Sequence, residues 1–336
     1  MINGHGDDAF RYAHIRANFS SNVYHRVNHD GLNCYLVERL SCIRSYPEPE
    51  PYTLGAELAR LYGARPEEVC VTNGATEAIY LIAQAFRSSR SQVWIPTFSE
   101  YADACRLHAH RVEGISSVEA LTEEEGICWL CNPNNPTGQT WKADMLRRLI
   151  TQYPRTLFVI DQSYALFTEK EVLSVAETVA RPNVLLLHSM TKCFAVPGLR
   201  LGAVTGNEAL LQRIRACRMP WSVNALAVEA GQYLLRHLGE YRMEVPALLA
   251  ERKRVAEALE ATGGVEVLPS DTHYFLARLR RGSASDLKAY LAERHGLLIR
   301  DASNFEGLDT RYFRIAIQTE EENNLLIEGI REWIRG

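Results

Sequence analysis

The chain has 336 residues, 46% of them hydrophobic, enough to bury one large core and a second, smaller one. Its formal net charge of -4 arises from evenly scattered Lys, Arg, Asp and Glu, so there is no basic stripe of the kind that neutralises a nucleic-acid backbone. No run of about 18 apolar residues offers a membrane span, and residues 1–10 carry Asp7 and Asp8 where a leader would be apolar; a cytoplasmic protein is expected.

From about residue 68 to 204, short apolar, β-branched runs alternate with amphipathic stretches, which predicts a mostly parallel sheet with helical crossovers. Strands are expected at 69–72, 92–95, 127–131, 157–160, 184–188 and 201–205. Between the first two, Ala78, Ile79, Ile82, Ala85 and Phe86 recur at helical spacing and would pack on the sheet. The pair Cys128 and Cys131 has C-x-x-C spacing, yet strand alternation sends the two side chains to opposite faces, so both read as core, and all eight cysteines are expected to be reduced. Helices dominate from about 208 to 261, including a long one at 240–261. Strand 274–279, helix 284–294, strands 297–300 and 312–317 and helix 320–334 then suggest a second, α+β unit.

Ligands of open α/β sheets bind beyond the carboxyl ends of the strands. Five successive strand ends carry the unusual polar residues: Gly74-Ala75-Thr76, Phe98, the run from Asn132 through Asn135 to Gly138, Asp161, and Ser189-Met190-Thr191-Lys192. At Gly74-Ala75-Thr76 a glycine turn enters a helix, where backbone N–H groups can seat a phosphate, although an ordinary helix cap would look the same. Ser189 and Thr191 beside Lys192, with Arg200 eight residues on, supply what a phosphorylated aldehyde requires: hydrogen bonds and positive charge for the phosphate, an amine for the carbonyl.

Asp161 closes a very apolar strand, and a buried carboxylate without a partner costs several kcal/mol. The pyridinium nitrogen of pyridoxal 5'-phosphate is such a partner, and the carboxylate would keep the ring protonated as an electron sink. Tyr164 and Asn135 could hydrogen-bond the ring's phenolic oxygen, and Phe98 could stack on the ring. A core tyrosine and a packing phenylalanine satisfy positions 164 and 98 equally well. Arg314 lies in the strand Tyr312-Phe313-Arg314-Ile315-Ala316-Ile317, where a lone guanidinium calls for a substrate carboxylate or a structural ion pair.

With these residues, over nearly its whole length, the sequence resembles the class I and II aminotransferases, α/β enzymes of the aspartate-aminotransferase fold (fold-type I), with a mostly parallel large-domain sheet and a smaller α+β domain. The resemblance implies a large cofactor domain at 45–240, with 1–44 and 241–336 forming an N-terminal arm plus the small C-terminal domain. It makes Lys192 the Schiff-base lysine, Asp161 the pyridine partner, Asn135 and Tyr164 the ligands of the phenolic oxygen and Phe98 the stacking ring. Ala75, Thr76, Ser189, Thr191 and Arg200 would hold the cofactor phosphate at the Gly74 turn, and Arg314 the substrate carboxylate. Tyr46 matches the family tyrosine that reaches the neighbouring subunit's phosphate, which implies a homodimer. No metal is implied.

Two branches of the family are similar to this chain, the threonine-phosphate decarboxylases of cobalamin biosynthesis and the histidinol-phosphate aminotransferases. The start at Gly4-His5-Gly6-Asp7 with Asn18-Phe19-Ser20-Ser21-Asn22, the run from Met219 to Ala227, and Leu298-Ile299-Arg300 leading to Arg314 look more like the former. Decarboxylation of L-threonine O-3-phosphate to aminopropanol phosphate is therefore expected, with His5, Ser21, Asn22, Asn135, Arg300 and Arg314 near a phosphorylated amino acid or amino alcohol. Two departures stand out: the usual His-Gly-Gly-Asn start is His5-Gly6-Asp7-Asp8, and Gln162-Ser163 replaces the acidic-Ala pair after the aspartate. Two distant readings rank below an enzyme. A cofactor-binding sensor would need a DNA-binding module for which no spare N-terminal segment is expected, and a nucleotide-binding domain would need a G-x-G-x-x-G or P-loop after a strand, which is not found.

Overall fold

The apolar runs pair into one large sheet whose central strands are buried on both faces. A computed structural model of the chain describes residues 7–122 and 124–336. After the short strand β1 (Ala17–Asn18) come β2 (Val69–Thr72), β3 (Arg90–Trp94), β4 (Arg111–Ile115), β5 (Gly126–Cys131), β6 (Thr156–Asp161), β7 (Val184–Ser189) and β8 (Gly202–Gly206). They form a seven-stranded sheet in the order β2-β8-β7-β6-β5-β3-β4. Pairings from β4 to β7 are parallel, and β8 runs antiparallel to both neighbours, so β2 points the same way as β7. The carboxyl ends of β2, β3, β5, β6 and β7 thus share one side of the sheet.

Alternation along the strands divides the core in two. Ile127, Trp129, Cys131, Leu157, Val159, Leu185 and Leu187 face the helices Gly74–Ala85 and Glu100–Leu107. Cys128, Leu130, Phe158, Ile160, Val184 and Leu186 face the helix Ala143–Gln152 through Leu146, Leu149 and Ile150. Cys128 and Cys131 are buried on opposite faces, and the eight cysteines are unbridged.

Each sheet edge is protected. Strand β4 is mostly exposed and carries Arg111 and Glu113, charges that discourage pairing with another chain. At the other edge, Arg215 donates to the carbonyls of Pro66, Glu67 and Val69 (3.3, 2.8 and 2.6 Å) beside β2 and pairs with Glu50 at 2.9 Å.

Beyond the long helix Val245–Glu260, strands β9 (Val265–Val267), β10 (Tyr274–Leu279), β11 (Leu297–Leu298), β12 (Arg300–Asp301) and β13 (Tyr312–Ala316) complete the set. Four of them make an antiparallel sheet in the order β12-β13-β10-β9, covered by Val245–Glu260 and the terminal helix Glu320–Arg335. The expected single strand at 297–300 is two strands. Leu297 and Leu298 pair with Ala17 and Asn18 of β1, whereas Arg300 and Asp301 pair with Arg314 and Phe313. This split docks the N-terminal arm: Phe19 N–H donates to Leu298 O (2.8 Å) and Ala316 N–H to Phe19 O (2.9 Å). The expected helix at 284–294 ends at Tyr290 and continues as a π-helical turn, Leu291–His295. Among the described residues no helix is long and apolar enough to cross a membrane.

Candidate active site

The arm brings Ser20, Ser21 and Asn22 over the five strand ends, and together they enclose a cavity of about 390 Å³. That is within the usual range for a small-molecule site. Ala75, Thr76, Phe98, Asn135, Asp161, Tyr164, Ser189, Thr191, Lys192, Arg200 and Arg314 all line it, as do Ser21 and Asn22. Most of the residues singled out from sequence therefore converge on one space.

Gly74 opens the helix Gly74–Ala85 at φ +77°, a conformation that favours glycine, and a Cβ there would lie 2.7 Å from Arg200 Nη2. Below the turn, Gly202 allows close approach of two backbones: a Cβ would meet Ala75 N at 2.6 Å and His188 O at 2.7 Å. The helix's first N–H groups, which have no acceptor within the helix, and the Arg200 guanidinium thus border the same corner of the cavity. Ser189 and Thr191 share a hydroxyl hydrogen bond of 2.8 Å at its edge.

Asp161 is buried, and both carboxylate oxygens accept a hydrogen bond: Oδ1 from Ser163 N–H (2.8 Å) and Oδ2 from Tyr101 O–H (2.7 Å). Burial raises its pKa, against the pull of Ser163, Tyr101 and the Lys192 charge. The Lys192 amine is lowered to about 8 by burial and by the positive charges of Arg314 and Arg200, against Asp7 and Asp161. An amine near 8 exchanges its proton readily near neutral pH. Tyr164 is buried edge-on to Tyr274, and burial pushes its phenol upward.

Arg314 donates to Asn135 Oδ1 and to Ser20 O, and its Nε has no partner among the described residues. Asn22 is buried facing Tyr164, with neither polar atom of its amide in a well-aligned hydrogen bond among the described residues. Arg300 lies outside the main cavity in an adjoining chamber of about 30 Å³, which it shares with Ser99, Asn135, Asn304 and Arg314. Its guanidinium donates to Asn304 Oδ1 (2.7 Å), and burial and Arg314 lower its pKa to about 10.

Tyr46 is not brought to this cavity. It is 83% exposed and packs against Trp221, ring centroids 5.1 Å apart. His5 lies outside the described residues. Lining residues that sequence reasoning did not single out include Tyr101, Ser163, Glu100, Cys131, Ser20 and Asp7. Asp7 and Ser163 carried a signal as departures from the family's pattern, Ser20 as part of the run from Asn18 to Asn22, and Cys131 through its C-x-x-C spacing. Tyr101 and Glu100 read as core or as helix start.

A model of the aminotransferase class I and II family matches residues 22–330. The chain belongs to that family. Among relatives of this chain is the threonine-phosphate decarboxylase of Salmonella typhimurium, 30% identical, covering 90% of this chain and 86% of the relative. A histidinol-phosphate aminotransferase of Thermoanaerobacter pseudethanolicus is also 30% identical, over 89% and 87%. The solved L-threonine-O-3-phosphate decarboxylase of Porphyromonas gingivalis superposes with a TM-score of 0.93 at 41% identity, covering 95% of this chain and 100% of that one. The fold is that of the fold-type I enzymes, and the cofactor is pyridoxal 5'-phosphate. The cavity fits that group: an amine, a buried carboxylate and a glycine turn with an arginine face one space sized for a small molecule.

Proposed function

We propose that the protein decarboxylates L-threonine O-3-phosphate to aminopropanol phosphate, a step of cobalamin biosynthesis. The observation that carries this reading is the pair Arg300 and Arg314, directly opposite each other across β12 and β13 and both buried. Two buried guanidinium ions repel one another: the Arg314 charge lowers the values of Arg300 and Lys192, while Asp301 and Asp8 raise that of Arg300. A substrate with two anionic groups, a carboxylate and a phosphate, compensates both charges at once. Histidinol phosphate carries only the phosphate. The likeness to two threonine-phosphate decarboxylases supports the same choice.

In this reading Lys192 would hold the cofactor through its aldehyde, Asp161 would partner the ring nitrogen, Phe98 would pack on the ring, and Asn135 and Tyr164 would hydrogen-bond its phenolic oxygen. Gly74, Ala75, Thr76, Ser189, Thr191 and Arg200 would hold its phosphate. Bound pyridoxal 5'-phosphate supplies an electron sink for the bond broken at the substrate's α-carbon. Arg314, with Ser21, Asn22 and Asn135, orients the carboxylate, because the bond that breaks is selected by orientation. Arg300 attracts the substrate phosphate from the adjoining chamber, and Lys192 Nζ returns a proton to the α-carbon.

The same reading assigns the cofactor to residues 45–240 and the substrate groups to 1–44 and 241–336. A homodimer would bring Tyr46 to the neighbouring subunit's phosphate. Exposed Val37, Leu40, Ile43, Tyr46, Tyr52, Met219 and Trp221 support such an interface.

The test is a single turnover with L-threonine O-phosphate and no 2-oxo acid, which should release CO2 and aminopropanol phosphate. If histidinol phosphate instead gives up its amino group while threonine phosphate yields no CO2, the protein is an aminotransferase. A second expectation concerns Asp161→Ala. The variant should retain some cofactor, read from absorbance after gel filtration, yet turn over orders of magnitude more slowly, because an unprotonated pyridine is a poorer electron sink. Near-normal turnover would remove Asp161 from the site.

A further inference from the structure

We propose that Tyr101 is a positioning residue for the cofactor, its hydroxyl holding the Asp161 carboxylate in its charged form and aimed at the ring nitrogen. The inference rests on the reading of Asp161 as the ring nitrogen's partner.

The case begins with a cost. A carboxylate buried at the end of β6 is driven toward its neutral form by the loss of water, and a neutral carboxyl cannot keep a pyridine protonated. Hydrogen bonds to the charged form oppose that drive, and those from a hydroxyl to a carboxylate are among the stronger ones. Ser163 N–H serves Oδ1, and the Tyr101 hydroxyl, 60 residues away in sequence, serves Oδ2 at 2.7 Å. Burial and the Asp161 charge push the Tyr101 phenol well up, so it stays protonated and remains a donor.

The ring that carries this hydroxyl has little freedom. Tyr101 is 1% exposed in the first turn of the helix Glu100–Leu107. Trp129 of β5 stacks beside it, centroids 5.8 Å apart and planes 19° apart, and Phe98 meets it edge-on at 5.8 Å and 85°. Trp129 is itself held, its indole N–H donating to Ser91 Oγ at 3.3 Å, and Ser91 is bonded to His110 at 2.8 Å. Tyr101 therefore touches both Phe98 and Asp161, the residues proposed to contact the face and the nitrogen of one ring. Packing alone would be met equally by phenylalanine. The hydroxyl adds the hydrogen bond to the carboxylate and a contact with the Cys131 thiol, which is a weak partner beside a charged one.

The test compares wild type, Tyr101→Phe and Asp161→Asn as holoenzymes reconstituted with pyridoxal 5'-phosphate labelled with 15N in the ring. Wild type should show the 15N resonance of a pyridinium. Tyr101→Phe should move it toward unprotonated pyridine and weaken cofactor affinity about tenfold, the ratio given by a hydrogen bond of about 1.4 kcal/mol. Asp161→Asn should move the resonance further. If Asp161→Asn moves it and Tyr101→Phe leaves both resonance and affinity at wild-type values, Tyr101 only packs and the proposal is overturned while the Asp161 reading stands. If neither variant moves it, the Asp161 reading fails and the proposal with it. Should Tyr101→Phe not fold, 3-fluorotyrosine at position 101 keeps the hydroxyl and makes it a stronger donor. The other titratable groups near Asp161 are Cys131, Tyr164 and Lys192. With these unchanged, a stronger donor on the carboxylate should move the 15N resonance away from its wild-type value, and no movement overturns the proposal.

Discussion

Lys192→Ala should leave a folded protein that no longer holds pyridoxal 5'-phosphate covalently and whose CO2 release falls by about 10²- to 10⁴-fold or more, the range lost when a positioned proton carrier is removed. Borohydride treatment of the wild-type holoenzyme, followed by peptide mapping, should place the pyridoxyl group on residue 192. A label on another lysine overturns the assignment. The protonation of this amine also predicts how the cofactor-free protein behaves. Burial with Arg314 and Arg200 nearby lowers the amine to about 8, so it is mostly protonated, and not nucleophilic, below that pH. The rate of cofactor uptake should rise about tenfold per pH unit on approaching pH 8 from below and level off above it. Removing the charge of Arg314 should move this midpoint upward. A flat uptake profile between pH 6 and 9 would show that the amine is not the group being titrated.

Arg314→Ala should reduce CO2 release from L-threonine O-phosphate on the order of 10²- to 10³-fold, as expected when one partner of a buried, hydrogen-bonded charge pair is truncated. Arg314 is buried, already donates to Asn135 and Ser20, and presents an unpartnered Nε to the site among the described residues. A carboxylate arriving there completes its hydrogen bonds. Arg314→Lys keeps a charge but lacks the planar fork, so it should recover only part of the loss. If either variant releases CO2 within threefold of wild type, the carboxylate is held elsewhere. Release of the amino group from histidinol phosphate by Arg314→Ala at the wild-type rate, with no CO2 from threonine phosphate in either protein, would favour the aminotransferase reading.

Most strands of the large sheet were legible because their side chains are buried on both faces. Runs such as Leu157-Phe158-Val159-Ile160 have no other stable place. Strand β4 was not legible: Arg111-Val112-Glu113-Gly114-Ile115 lies on an exposed edge, where burial imposes no apolar pattern. The break between Leu298 and Arg300 escaped notice for another reason. The apolar Leu297-Leu298-Ile299 runs straight into Arg300 and reads as one strand, and only the choice of partners, β1 for one half and β13 for the other, divides it.

The sequence by itself determined the family, the α/β architecture and the list of polar residues at five strand ends, because periodicity and unusual residues at strand termini are local properties. Only the tertiary structure decided which of them share one cavity. It aligned Arg300 with Arg314 across a sheet, drew Ser20 and Asn22 in on the N-terminal arm, and left Tyr46 on the surface, where a site role needs a second chain. It also set Tyr101 against Asp161. A buried tyrosine at a helix start reads as core, and its hydroxyl acquires meaning only when a carboxylate 60 residues away lies 2.7 Å from it. Hydrogen bonds and charges act across space, and their partners are fixed by packing rather than by position along the chain.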